Sequence, residues 1–339
     1  MVLPAPNPFG KKIVFSGVRP TGSLHIGNYT GALSVWVENQ ETYFNIFCVV
    51  DLHGIVVPEE VEPASLRKKS REVAALYMAC GIDPERSVIF IQSHIHEHAE
   101  LAWILNCVTP VGWLERMTQY KSKSGRAGSV SAGLLDYPVL QAADILLHRT
   151  DYVPVGEDQR QHVELTRDIA QRFNNLFGDV LSVPEVMVRE RGSRIMALDD
   201  PESKMSKSVA QKKSGHAIGL LDPPEAIRKA IASAVTDPGR ETRFGHASGG
   251  VLNLLNLYGA LTGEGREEIE EKFEGKGYSF LKSAVTDVVL SAVRPIQDNF
   301  NRIMEDPAYV DSVLEAGADK VRPVAREVLR EVKEAIGLG

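Results

Sequence analysis

Short apolar runs without alternation fall at residues 13–16, 45–51 and 87–91 of the 339-residue chain. Runs of this length, rich in Ile, Val and Phe, predict strands of a parallel sheet covered on both faces. Helical patterns separate them. One begins near Gly27 and runs to about Glu41, with Leu33, Trp36 and Val37 on one face. A second covers residues 63–79 and is closed by Gly81. Strand and helix alternating every roughly 30–40 residues describe right-handed βαβ crossovers. A helix over 99–117 follows, interrupted near Pro110 and Gly112, then a polar loop over 119–128 and an apolar helical pattern through 137–147. A fourth strand is expected at 151–155, a helix at 164–173, and a fifth strand at 194–198.

Beyond Gly215 the pattern is helical throughout, at 223–235, 251–261, 266–273, 279–304 and 309–336. Pro295 and Pro323 are expected to kink or break the last two. Asp222-Pro223-Pro224-Glu225 reads as a helix start, with Asp222 as cap, Pro223 at the first helical position and Glu225 three after the cap. The expected fold is therefore α/β: a Rossmann-like parallel-sheet domain over 11–208, with a helical insertion at about 99–147, followed by a helical domain over 209–339. Residues 1–10 hold four Pro or Gly residues and no apolar core. They read as a loose tail, not a signal peptide.

Composition changes this picture little. Hydrophobic content of 43% and charged content of 24% are ordinary for a globular protein. The net charge of −7 argues against wholesale coating by nucleic acid, though it leaves room for a local basic surface. The cysteines are Cys48, Cys80 and Cys107; three is an odd count, and none has zinc-ligand spacing. That suits a reducing compartment, hence the cytoplasm. No apolar run approaches the ~20 residues needed to span a membrane.

Candidate chemistry concentrates in four places. Lys204-Met205-Ser206-Lys207-Ser208 sets two lysines and two hydroxyls on a predicted loop. That combination suits a triphosphate, although a solvated charged loop has the same composition. Gly17, Gly22, Gly27 and Gly31 lie where the first strand turns into the first helix. Such a turn lets backbone N–H groups approach a nucleotide, and tight packing would explain it equally. Asp144 interrupts an apolar helical pattern and shares a face with Tyr137 and Gln141 at i, i+4, i+7. A carboxylate inside an apolar face must be paired or serve a ligand, such as an indole N–H or a phenolic O–H. The alternative is a helix-surface Asp. Gly156-Glu157-Asp158-Gln159 follows the fourth strand. Its carboxylates suit ribose hydroxyls, and they suit a helix N-terminus as well.

Three weaker signals remain. His53 lies at the C-terminal end of the second strand, where such folds bind ligands. The alternating histidines of 94–98 suggest metal, but nothing nearby completes a site; a polar loop opening the next helix is the simpler reading. Arg322, Arg326 and Arg330 share a helix face diluted by Glu315, Glu327 and Glu331, which favours a salt-bridged surface over an RNA footprint.

Thr21-Gly22-Ser23-Leu24-His25-Ile26-Gly27-Asn28 and the Lys204–Ser208 loop together resemble the two signatures of class I aminoacyl-tRNA synthetases. The first signature departs at its fourth position, where Asn28 replaces the usual His. From about residue 13 to 338 the chain is similar to bacterial-type tryptophanyl-tRNA synthetases. The resemblance implies activation of L-tryptophan by ATP, release of pyrophosphate, and transfer to the 3′ end of tRNA(Trp). Mg²⁺ would be carried by the ATP phosphates, and no metal site of the protein's own is implied. It implies a homodimer without membrane association, and a C-terminal domain that binds tRNA.

By the same resemblance, His25, Asn28, Lys204 and Lys207 are catalytic. ATP would meet Arg19, Pro20, Thr21, Gly27 and Asn28, then Gly156, Glu157 and Asp158, then Ile195 and the loop Lys204, Met205, Ser206, Lys207 and Ser208. Tryptophan would meet Asp144, with Tyr137, Gln141 and His53 beside it, and Phe15, Gly17, Val153, Val155 and Gln159 around it. Asp144 would take the indole nitrogen. Many bacterial members have Met where this chain has Gln141. The rival readings are a tyrosyl-tRNA synthetase, a small-molecule nucleotidyltransferase and a non-catalytic RNA-binding paralogue. The intact lysine loop and the Gly156–Gln159 segment argue against the last.

Overall fold

The computed structural model describes residues 9–20, 24–58, 61–124, 130–187, 195–205, 209, 213–239 and 241–338, without the side chains of 122–124, 157 and 158. Among them, five parallel strands form one sheet: β1 (Ile13–Val18), β2 (Phe44–Val49), β3 (Val88–Ile91), β4 (Tyr152–Pro154) and β5 (Glu185–Met187). Their order is β3-β2-β1-β4-β5. The chain builds outward from β1 to β3, then returns to add β4 on the other side of β1. Beyond the rung Val14↔Tyr152, the ends of β1 and β4 therefore flank the switch point of a doubly wound sheet. Ligands of such folds bind there.

The first helical stretch, α1, joins Ile26–Asn28, a π-turn at Tyr29–Leu33 and Ser34–Glu38. Next come α2 (Pro63–Ala79), α3 (Glu97–Val108), α4 (Val111–Glu115), α5 (Thr118–Ser124), α6 (Ala132–Leu146) and α7 (Glu157–Phe177). The C-terminal helices are α8 (Pro224–Ala232), α9 (Gly249–Thr262), α10 (Arg266–Phe273), α11 (Tyr278–Met304) and α12 (Pro307–Ala335).

Alternation along the strands feeds two cores. Phe47, Val49 and Ile89 join a core with Val73 and Leu76 of α2 and Val285, Val289 and Val293 of α11. Ile46, Cys48, Val88 and Phe90 join the other, with Leu101 of α3, Val139 of α6, Ile169 of α7 and Val321 and Val328 of α12. The C-terminal helices thus help to cover both faces of the sheet. Where α12 crosses β3 there is no room for a side chain, because a Cβ on Gly317 would lie 2.0 Å from the Ile89 carbonyl oxygen.

Several local expectations are corrected. The fifth strand is Glu185–Met187, not 194–198. Arg194 lies outside the described residues, and Ile195–Leu198 leaves the sheet, making a bridge from Met196 to Lys204. Asn253 of α9 holds that segment, accepting from Met196 N–H at 2.8 Å and donating to Met196 O at 2.9 Å. Thr118–Ser124 is helical where a polar loop was expected, because it contains no Gly or Pro and its start is tied to Gln161 of α7 by Thr118 N–H and Oγ1. The cap of α8 is Pro223, and Asp222 accepts instead from Gly219 N–H at 2.7 Å. Both α11 and α12 run through Pro295 and Pro323 without ending. Residues 1–8 lie outside the described residues, whereas Phe9 stacks on Phe44 at 3.8 Å.

The arginine face of α12 is tied up in polar contacts. Arg322 donates to His94 O at 2.8 Å, Arg326 pairs with Glu97 at 3.1 Å, and Arg330 pairs with Glu334 at 2.7 Å. Glu331 instead meets the buried Arg149 at 2.8 Å. No helix among the described residues is long and apolar enough to cross a membrane.

Candidate active site

Near the end of β1 stands Gly17, where a side chain would crowd its neighbours. A Cβ on Gly17 would sit 3.2 Å from Val50 Cγ1 and 3.8 Å from Phe15 Cε1. Arg19 follows exposed and Pro20 buried. His25 then caps α1 in an extended conformation, with φ −116° and ψ 167°. Its backbone N–H is accepted by Asn28 Oδ1 at 3.0 Å. An amide at the fourth position of the signature therefore closes the helix start. A Cβ on Gly27 would lie 3.2 Å from His25 Nδ1 and 3.7 Å from Ile195 Cβ. His25, Gly27 and Ile195, far apart in sequence, thus converge.

Residues 216–220 explain the convergence. Ile26 N–H donates to Ile218 O at 2.8 Å, Leu220 N–H to Leu24 O at 2.9 Å, and Leu198 N–H to His216 O at 3.1 Å. One segment holds the first signature and the entry to the lysine loop together. Asp199 clasps the loop's base, with Oδ1 2.7 Å from His216 Nδ1 and Oδ2 2.5 Å from Lys213 Nζ. Burial works to raise the Asp199 carboxyl, but the hydrogen bonds from Lys213 and His216 outweigh it and hold it below the usual range. Lys204 is half-buried and Met205 buried. Thr21, Ser206, Lys207 and Ser208 lie outside the described residues, as do the side chains of Glu157 and Asp158. The backbone at Gly156 caps α7, so both acidic residues occupy its first turn.

The second half of the site centres on Asp144. α6 starts at a Ser131 cap and packs against α3 and α7, which carries Asp144 to full burial at 1% exposure. A buried carboxylate must be satisfied. Gln92 Nε2 donates to Oδ1 at 2.6 Å, His98 Nδ1 lies 2.8 Å from Oδ1, and His53 Nε2 lies 3.0 Å from Oδ2. Burial would raise this acid, but the hydrogen bonds from His53 and His98 prevail and hold it at about 2. It is ionised at neutral pH. Of its roughly four accepting directions, three are taken by described residues, and the one left among them is on Oδ2.

Around it the predicted residues divide. Tyr137 stands edge-on to His53 with centroids 6.2 Å apart, and its hydroxyl lies 2.9 Å from His162 Nε2. Burial pushes that phenol up to about 12, keeping it neutral. Gln141, Val155 and Gln159 are half-buried, while Phe15 and Val153 are buried in the core. Phe15 stacks on His148 at 5.7 Å, so it packs behind Asp144 in the core. Gln92, Asp199, His216 and Asn253 were not singled out from sequence, and His98, read there as part of a polar loop opening the next helix, is instead fully buried. Gln92 directly follows the C-terminal end of β3, a position where such sheets gather ligand groups, and that was the available signal. Among the described residues, no group of three His, Cys, Asp or Glu side chains is arranged to hold a metal.

Comparisons with known proteins give the family. The family model for class I tRNA synthetases (W and Y) matches residues 9–293. The tryptophan–tRNA ligase of Wolinella succinogenes is 49% identical over 329 residues, 97% of this chain and 99% of that one. That of Listeria monocytogenes is 48% identical over 330 residues, 97% of this chain and 98% of that one. Among solved structures, the tryptophanyl-tRNA synthetase of Campylobacter jejuni in complex with ADP and tryptophan gives a TM-score of 0.83 at 35% identity, covering 96% of this chain and 100% of that chain. The Mycoplasma pneumoniae enzyme gives 0.89 at 34% identity, covering 97% and 98%. The chain belongs to the class I tRNA synthetases of the tryptophan and tyrosine family.

Proposed function

We propose that this chain joins L-tryptophan to tRNA(Trp): ATP activates the amino acid as tryptophanyl-adenylate, pyrophosphate leaves, and the acyl group passes to the 3′ end of the tRNA. The observation that carries the amino-acid choice is Asp144, a buried, ionised carboxylate with one accepting direction left on Oδ2 among the described residues. An indole N–H is a single donor of the right kind. A site built around such a bond rejects analogues that lack it. The near-half identity to tryptophan–tRNA ligases over almost the whole chain supports tryptophan over tyrosine.

In the first step the tryptophan carboxylate attacks the α-phosphorus of ATP and the bond to pyrophosphate breaks. The protein has little covalent work here, so orientation and charge stabilisation dominate. Lys204 and Lys207 take the departing phosphates. His25 and Asn28, at the start of α1, stand near the α-phosphate with Arg19, Pro20 and Thr21. Gly27, Ile195 and Met205 face the adenine, with Ser206 and Ser208 on the phosphate loop, and Gly156, Glu157 and Asp158 meet the ribose. Tyr137, Gln141 and His53 frame the indole beside Asp144; Gly17, Val155 and Gln159 line the remainder, over Phe15 and Val153. The donors on this side are ammonium and amide groups, which suit phosphate oxygens rather than a metal cage. Mg²⁺ would therefore be held by the ATP phosphates, where it neutralises their charge. The helices beyond residue 209 carry the tRNA, and the free thiols suit a cytoplasmic setting.

The test is charging. With ATP and a tRNA(Trp) transcript, labelled tryptophan becomes acid-precipitable; incorporation that persists without tRNA or without ATP contradicts the reading.

A homodimer belongs to the same proposal. Trp103 of α3 is 70% exposed and Val111 of α4 is 57% exposed, with the exposed Cys107 between them. Exposed apolar side chains at this spacing fit a second copy of the chain. Sedimentation of Trp103→Glu should give a monomer where the unchanged chain gives a dimer, and a dimer in both would remove this face from the interface.

A further inference from the structure

Behind Asp144 lies a buried layer that no substrate need touch. His98 on α3 is fully buried and presents Nδ1 to Asp144 Oδ1 at 2.8 Å. Its other nitrogen, Nε2, lies 3.3 Å from Nε2 of His148, which is 1% exposed and follows directly on α6. The His148 ring is fixed by Phe15, stacked at 5.7 Å, and by Phe90, edge-on at 5.5 Å. Gln92 completes the layer. Its Oε1 accepts Leu52 N–H at 3.1 Å, which turns its Nε2 toward Asp144 Oδ1 at 2.6 Å.

Hydrogen-bond accounting fixes the protons. An ionised carboxylate only accepts, so His98 donates from Nδ1. If His98 is neutral, its Nε2 is a bare acceptor and needs a donor, and the facing nitrogen of His148 must carry the proton. His148 Nδ1 is then an acceptor, and it is buried without a partner among the described residues. Burial, reinforced by the neighbouring His98, pushes His148 well below the usual histidine range, in keeping with a neutral ring. An apolar ring of the same size would remove that unpaired acceptor but leave His98 Nε2 without a donor. A histidine kept there at a cost points to use of its other nitrogen.

We infer that His98, held in one tautomer by His148, is a positioning residue that pins Asp144 Oδ1 and leaves Oδ2 as the only oxygen able to accept from the substrate. The inference rests on the reading of Asp144 as the acceptor for the indole N–H. Pinning matters because a carboxylate free to rotate would offer either oxygen, and a pocket with two accepting geometries discriminates less sharply.

The experiment compares kcat/KM for tryptophan with that for the analogue carrying sulfur in place of the indole N–H, in amino-acid-dependent pyrophosphate exchange by the full chain. His98→Leu should lower the tryptophan-to-analogue ratio about tenfold, through KM for tryptophan, with kcat for the analogue kept. His98→Asn, whose Nδ2 stands in for Nδ1, should restore the ratio to within about threefold of the parent. His148→Phe removes one unpaired acceptor and leaves another at His98 Nε2, so it should lower the ratio with little change in Tm, a combination that a merely structural role does not produce. Unchanged ratios in His98→Leu and His148→Phe, beside a collapsed ratio in Asp144→Asn, overturn the positioning role alone. An unchanged ratio in Asp144→Asn overturns the reading of Asp144 beneath it.

Discussion

Asp144→Ala should lower kcat/KM for tryptophan in pyrophosphate exchange about 10³-fold and destabilise the fold by about 3–5 kcal/mol. Both losses have one origin. The carboxylate is the shared acceptor for Gln92, His98 and His53. Truncation leaves their donors facing an empty, buried space, and each unsatisfied group costs about 1–3 kcal/mol. The indole N–H loses its acceptor at the same time. Asp144→Asn separates the two effects, because it keeps the volume and one acceptor; its stability loss should be the smaller while its discrimination still falls. Denaturant titration and exchange kinetics on both variants check this. A destabilised Asp144→Ala with unaltered tryptophan kinetics would reduce Asp144 to a structural acid.

The second large effect is expected at Lys204. Lys204→Ala should slow adenylate formation about 10²–10³-fold, while tryptophan affinity changes less than about threefold. The backbone at Lys204 is fixed independently of its side chain, through the bridge to Met196 and the bond from Ala197 N–H to Ser203 O at 2.9 Å. Removing the ammonium group therefore removes charge and leaves the loop entry in place. A positioned cation acts most where negative charge builds on the departing phosphates, so the deficit appears in the chemical step. Single-turnover measurement with saturating ATP resolves the two constants. A loss confined to affinity would assign Lys204 to ground-state binding.

How much of this was legible in the chain depends on how local each feature is. The first three strands were readable because continuous apolar runs between glycine turns have few other uses. Asp144 stood out because a carboxylate in an apolar helix is costly without a purpose. Ile195–Leu198 misled because Ile195, Ala197 and Leu198 are buried without belonging to the sheet; Ile195 and Leu198 join the core built by the C-terminal helices. The true fifth strand has three residues, with Glu185 exposed and the other two half-buried, too short for a period to show. His98 was hidden by company: His94 and His96 are exposed, and only long-range packing singles out the third of the series. The clasp at Asp199 and the frame at 216–220 join segments on either side of the lysine loop, and local pattern carries no record of such pairings. Asn28 was read as near the α-phosphate, and its side chain also closes the start of α1.

Amino-acid-dependent ATP–pyrophosphate exchange tests activation of tryptophan by this chain without tRNA. Tryptophan and tyrosine are run side by side with the unchanged protein. Exchange is expected with tryptophan, with a kcat/KM for tyrosine lower by about 10³-fold or more. Exchange driven by tyrosine would contradict it, giving the free direction on Asp144 Oδ2 to a phenolic hydroxyl.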